Sequence, residues 1–294
     1  MLSIILLLAG TTRAQNGFLA AGPLYFDVEL HVYSGRESPH WPIYQRSPYF
    51  NDLVQQLDRT RPTRLPQRLG YRGFEIEMRN MFGQRISRTI GAGTNPRLEL
   101  MLLRTSPRGI SRSVRRNVMS TIQRRRTIMP NIVIEFEELS ERPIRAPVCR
   151  LPRFNPRRWN VMPTIRQNNC YNYSTNRQTN TFAQPGRASG PRFSSLTARS
   201  VLRATYRDGL IPIPFFIPKR HPGVCLIALA IWPDTDYHFY RLDSNLLWSH
   251  KPGKTAAKNT DNSGNLIVDP KFADRGSYTI FAGYLGNHAG VRVI

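Results

Sequence analysis

Lysine is scarce in this 294-residue chain, occurring only at Lys219, Lys251, Lys254, Lys258 and Lys271. Lysine and arginine together number 42, so the other 37 basic residues are arginine. Acidic residues are few as well, 19 against those 42, and the formal net charge is +23. No apolar run approaches the about 20 residues that a membrane-crossing helix needs, so no transmembrane anchor is expected. Cysteine is limited to Cys149, Cys170 and Cys225, with no Cys-x-x-Cys spacing to suggest structural zinc. There is no internal repeat, and no cofactor or metal is expected. Hydrophobic residues still make up 40% of the chain, enough for a core, which argues against a disordered tail.

The chain opens on a short apolar run, Ile4, Ile5, Leu6, Leu7, Leu8 and Ala9, followed by Thr12, Arg13 and Ala14. A short apolar segment ending at a small residue is the pattern of a cleavable secretory signal, here residues 1–14. A buried amino-terminal strand is the other reading of the same run. Export changes what the charge means. Arginine grips carboxylate, sulfate or phosphate with paired hydrogen bonds and stays charged at any working pH. An exported protein meets acidic matrix proteins, sulfated polysaccharide or a mineral surface, and no nucleic-acid partner is expected. The candidate contacts are Arg115 and Arg116, Arg124, Arg125 and Arg126, and Arg157 and Arg158. The run at 124–126 also suits a helix end, where the dipole favours cations.

Two small modules are expected, giving an α+β protein. In residues 15–140, Phe26, Val28, Leu30 and Val32 alternate with Asp27, Glu29 and His31, the period of a half-buried strand. Ser47 and Pro48 suit a helix start, and Phe50, Leu53, Val54 and Leu57 continue it over residues 48–58. Phe74, Ile76 and Met78 predict a second strand, and residues 98–103 a third. Val114, Val118 and Ile122 predict a basic helix, and Ile132, Ile134 and Phe136 another strand. Prolines recur among arginines over residues 141–166, which predicts an extended linker. In residues 167–294, Ala198, Val201, Leu202 and Thr205 mark a helix. The apolar run 224–231 reads as a buried strand, and further strands are expected at 266–268 and 278–284. Asp261, Asn262, Ser263, Gly264, Asn265 and Asp269 lack the spacing and bidentate glutamate of a calcium loop and read as a turn.

Residues 237–242 and 246–250 read as the arms of a hairpin. With a three-residue loop at Asp243, Ser244 and Asn245, Tyr240 faces Trp248 and His238 faces His250, bringing two imidazoles together. One imidazole oriented by another is half of a nucleophilic site. Cys170 supplies a thiol if it opens a helix, where the dipole lowers its pKa. The cysteine count leaves three pairings open. If Cys170 is the nucleophile, Cys149 and Cys225 are left for a disulfide. Asn172, Tyr173 and Ser174 form a glycosylation sequon. A glycan on Asn172 would crowd Cys170, so the two uses exclude one another.

The order of a cysteine opening a helix, a buried strand, His238 and then His250 resembles the NlpC-type papain-like cysteine peptidases and amidases that cut cell-wall peptides. The resemblance covers residues 165–285. It implies a papain-like antiparallel sheet with packed helices, with Cys170 as nucleophile, His238 as base and His250 orienting the base. The sequence departs from that pattern where Asn169 stands for the usual aspartate, and where Pro222, Gly223 and Val224 replace a Gly-Asp pair. Three further segments, His31 to Arg36, Leu69 to Phe74 and Asn180 to Gly186, resemble a family of secreted proteins of bacteria and marine invertebrates. Some of its invertebrate members are similar to mollusc or other shell and skeletal organic-matrix proteins. Two functions follow as expectations. One is a secreted, basic structural component of an extracellular organic matrix, such as a calcified shell or skeleton. The other is a secreted cysteine amidohydrolase or peptidase.

Overall fold

The computed structural model describes residues 23–80, 84–123, 132–133, 149–213 and 223–294. The expected signal at 1–14 and the arginines at 124–126 lie outside them. The chain is α+β, with two sheets. It divides into two compact units, each considered separately. Unit 1 comprises Met1–Val32, Ser38–Pro66 and Tyr71–Thr127, and unit 2 comprises Tyr33–Glu37, Gln67–Gly70 and Ile128–Ile294.

Unit 1 carries β1 (Pro23–His31), β2 (His40–Tyr44), α1 (Phe50–Arg59), β3 (Gly73–Asn80), β4 (Arg85–Gly91), α2 (Pro96–Arg104) and α3 (Arg112–Ile122). The strands form one antiparallel sheet in the order β2-β1-β3-β4. The alternation in β1 has its expected effect. Phe26, Val28 and Leu30 lie opposite Met78, Ile76 and Phe74, and all six are fully buried. Each such side chain contributes about 1.5–3 kcal/mol relative to exposure. Phe50 of α1 packs on Phe26, with ring centroids 4.8 Å apart.

Two local expectations fail for identifiable reasons. Residues 98–103 are helical, within α2. Pro96 opens that helix, and the Asn95 side chain accepts from Leu98 N at 3.1 Å. Leu98 and Leu102, four residues apart, then face the interior together. In α1 the cap residue is Tyr49 and makes no side-chain cap, while Ser47 Oγ accepts from Tyr49 N at 3.4 Å, two residues before the cap position.

Unit 2 carries β5 (Ile132–Val133), α4 (Pro156–Trp159), α5 (Thr164–Gln167), α6 (Cys170–Ser174), α7 (Ala198–Arg207), β6 (Ile211–Ile213), β7 (Cys225–Trp232), β8 (Asp236–Leu242), β9 (Trp248–His250) and β10 (Ile280–Asn287). The sheet runs β5-β10-β7-β8-β9, with β6 also on β10; the β5–β10 pair is parallel and the others antiparallel. Strand β7 is central and buried throughout. Cys170 and Tyr171 of α6 and Val201 and Leu202 of α7 join Ile227, Leu229, Tyr237 and Phe239 of the sheet in one core. A disulfide links Cys149 to Cys225 at the head of β7. Of the segment expected to be linker, residues 149–166 are described. They contain α4 and the start of α5, with Pro156 in the first helical turn and Trp159 only 1% exposed. Trp159 packs edge-on against Tyr173 at 5.1 Å. Residues 266–268 make isolated bridges, Ile267 to Trp248 and Leu266 to Thr260.

Candidate functional site

The hairpin β8–β9 forms in a register shifted from expectation. Tyr240 lies opposite His250 and Leu242 opposite Trp248. Asp243 N donates to Leu247 O at 3.0 Å, so the loop proper is Ser244, Asn245 and Leu246, and Leu246 takes the positive φ of 62°. A shift of two residues between the arms keeps every side chain on its face, because the side-chain period is two. His238 and His250 are therefore diagonal partners and still meet, Nε2 to Nδ1, at 2.8 Å.

The proton order of this pair follows from its ends. His250 Nε2 donates to Thr260 O at 2.9 Å. Burial, together with the nearby Lys258 charge, lowers the His250 pKa to about 3, so its ring is neutral. A neutral ring that donates through Nε2 must accept at Nδ1. His238 Nε2–H is then the donor between the rings. On its other side, His238 Nδ1 lies 2.5 Å from Ser34 Oγ. The hydrogen bonds therefore form one continuous chain from Ser34 through both rings to Thr260.

Ser34 sits in Tyr33–Glu37, a strap whose backbone is held on both edges. Asp236 accepts from Ser34 N at 2.5 Å, Gly35 N at 3.2 Å and Arg36 N at 3.2 Å, and from Tyr278 O–H at 2.6 Å. The Gly35 carbonyl accepts from Asn169 Nδ2 at 2.8 Å, Gln184 Nε2 at 2.8 Å and Tyr237 O–H at 2.9 Å. A Cβ on Gly35 would stand 2.3 Å from the Tyr237 ring, so no other residue fits here. Burial pushes the Asp236 pKa up, and the donated hydrogen bonds oppose that shift.

Cys170 opens α6, as expected. Asn169 caps the helix, its Oδ1 accepting from Tyr171 N and Asn172 N at 3.0 and 3.1 Å, while Asn172 Oδ1 accepts from Asn169 N at 3.1 Å. The thiol is free and fully buried. Burial raises its pKa well above the ordinary value, and the Asp236 charge adds to this. Hydrogen bonds from Phe239 N–H and the Ser34 hydroxyl act the other way and are outweighed. A cap and a helix start are thus insufficient to make a thiolate where solvent is excluded. Ser34, Cys170, His238 and His250 are all at most 1% exposed.

The remaining expected residues fall as follows. Asn172 is fully buried, and its Nδ2 donates to Arg177 O at 3.1 Å and Thr179 Oγ1 at 2.8 Å. The folded residue therefore presents no nitrogen for a glycan. The Arg115 guanidinium is spent on carbonyls of Leu103, Ser106 and Pro107 at 2.9–3.4 Å, satisfying the end of α2. Arg116, Arg157 and Arg158 are exposed. Some of the arginine surplus is internal: Arg72, Arg241 and Arg275 are at most 1% exposed. Arg241 pairs with Asp243 at 2.8 Å and lies 4.1 Å over the Tyr173 ring. Lys251 is buried too, its Nζ donating to carbonyls of Ile165, Asn168 and Gly253 at 2.5–2.6 Å. Asp261 spends its carboxylate on Ser263 N, Asn265 N and Asp274 N at 2.9–3.0 Å, closing a turn.

Sequence reasoning missed Ser34, Asp236 and Gln184. The available signal was the pair of segments around Ser34 and Gln184, both singled out by resemblance and given no chemical role.

The chain belongs to the family of insoluble matrix shell protein 1 of Ruditapes philippinarum, to which it is 54% identical over 151 residues, 50% of this chain and 97% of the relative. No protein-family model matches the chain, and no solved structure matches it. Among the described residues, no helix is long and apolar enough to cross a membrane.

Proposed function

We propose that this protein is a secreted structural component of a shell organic matrix, held there by exposed arginines that bind acidic matrix proteins, sulfated polysaccharide or mineral. The observation that carries this is the 54% identity to a relative named as an insoluble shell matrix protein. The net charge of +23 and the exposed Arg116, Arg157 and Arg158 support it. In this reading unit 2 is a papain-like hydrolase fold turned to structural use, with the strap at 33–37 hydrogen-bonded to Asp236 and His238. The test is binding of the purified mature chain to sulfated polysaccharide, acidic matrix extract and calcium carbonate. Binding at physiological salt that weakens as salt rises is the expected result, because exposed charge pairs are screened. Arg157→Ala/Arg158→Ala should weaken it further. Failure to bind all three at physiological salt would remove the proposal.

A second reading, a secreted cysteine amidohydrolase or peptidase, draws on the 2.8 Å contact of His238 with His250. It requires Cys170 to reach His238, whose Nδ1 is taken by Ser34. Native alkylation separates the two readings. The matrix reading expects Cys170 to react slowly at neutral pH, at a rate unchanged by His238→Ala wherever that variant stays folded. Fast labelling with a rate that rises through an acidic pKa, lost in His238→Ala, would favour the enzyme.

A further inference from the structure

We infer that Glu29, His31 and Glu75, on the outer face of the unit 1 sheet, form a binding site for a divalent transition cation of the zinc type. The two-residue period of β1 places Glu29 and His31 on the face opposite Val28 and Leu30. The β1–β3 register sets Glu75 directly across from Glu29. Like charges directly opposed on paired strands repel, so a cation held between the two carboxylates would relieve that repulsion. The neighbouring pair on the same face, Asp27 opposite Glu77, has Arg85 Nη1 at 3.6 Å from Glu77. His31 Nε2 stands beside both Glu29 and Glu75.

The donor atoms are already gathered. One ligand atom from each residue lies within 4.8 Å of the other two. His31 Nε2 is 3.2 Å from Glu75 Oε2 and 3.9 Å from Glu29 Oε2. A tetrahedral zinc with bonds of about 2.0–2.2 Å holds its ligand atoms about 3.4 Å apart, so small side-chain movements suffice. His31 is 1% exposed, and its Nδ1 has no hydrogen-bond partner, so the ring directs its polar contacts at the two carboxylates. Ser87 Oγ donates to Glu75 Oε1 at 3.2 Å, orienting the carboxylate so that its other oxygen faces the imidazole. On the opposite edge of β1, His40 pairs with Glu29 and is exposed on the same face.

The donor chemistry selects the ion. One or two imidazoles with two carboxylates suit zinc-like ions, whereas calcium takes six to eight oxygens, which three side chains do not supply. The test uses the full-length, tag-free chain and zinc alone, titrated calorimetrically in the presence of excess calcium. One zinc site is expected, weakened at least tenfold by His31→Ala and by Glu29→Gln/Glu75→Gln. The glutamine pair is isosteric and part-exposed, so it keeps the test valid if His31→Ala does not fold, with circular dichroism as the check. The inference is overturned if the wild type binds no zinc, if calcium competes on equal terms, or if the folded glutamine pair binds zinc as the wild type does.

Discussion

Asp236→Ala should destabilise the protein by about 4 kcal/mol, read as a lowered urea midpoint. Four donors converge on that carboxylate: the N–H groups of Ser34, Gly35 and Arg36, and the hydroxyl of Tyr278. Each buried donor left without an acceptor costs about 1–3 kcal/mol, part of which is offset because a buried charge is no longer required. The same substitution should speed native alkylation of Cys170, since the strap over it loses one of its two anchored edges. Asp236→Asn, which keeps an acceptor oxygen, should recover part of the loss. A variant as stable as wild type would mean that the strap is held elsewhere.

Acid should weaken the fold through His250. Its folded pKa is about 3, lowered by burial and by Lys258, against 6.5 for a free imidazole. Between those values the unfolded chain binds a proton that the folded chain refuses. Stability present above pH 6.5 is therefore lost as pH falls, at about 1.4 kcal/mol per pH unit, or about 2 kcal/mol by pH 5. There is a structural reason for the refusal. A proton on His250 Nδ1 would confront the N–H that His238 points at it. Asp236 and Asp243, both raised by burial, work in the opposite direction at the acid end, since a folded carboxyl that takes its proton early gains on acidification. The comparison to make is the change in urea midpoint between pH 7 and pH 5 in wild type and His250→Gln. The variant should lose this part of the pH dependence, and equal slopes in the two proteins would refute the assignment.

The periodic elements were legible in the sequence. Alternation gave β1 and β3, helical spacing gave α1, α3 and α7, and the apolar run gave β7. The 98–103 segment misled because Leu98, Met101, Leu102 and Leu103 form a run too dense to show a period, and the deciding signal was the Asn95-Pro96 start before it. The meeting of His238 with His250 was legible even though the register was misplaced, because a two-residue shift preserves the face. The strap was not. Its 202-residue separation from Asp236 leaves no local periodicity to read. Likewise, nothing in the spelling of an arginine separates Arg241, locked against Asp243 and Tyr173, from Arg157 in solvent.

The strap also sets a schedule for synthesis. Residues 33–37 leave the ribosome long before Asp236, Tyr237 and His238 exist to receive them. At about 5–20 residues per second, the wait is roughly 10–40 s. During that interval the Ser34 to Arg36 amides have no carboxylate, and unit 2 has no completed centre. Any truncation that removes the early segment leaves buried Asp236, Tyr237 and His238 of the late hairpin without their strap partners. Synthesis order thus favours intact, full-length chains as the ones that close.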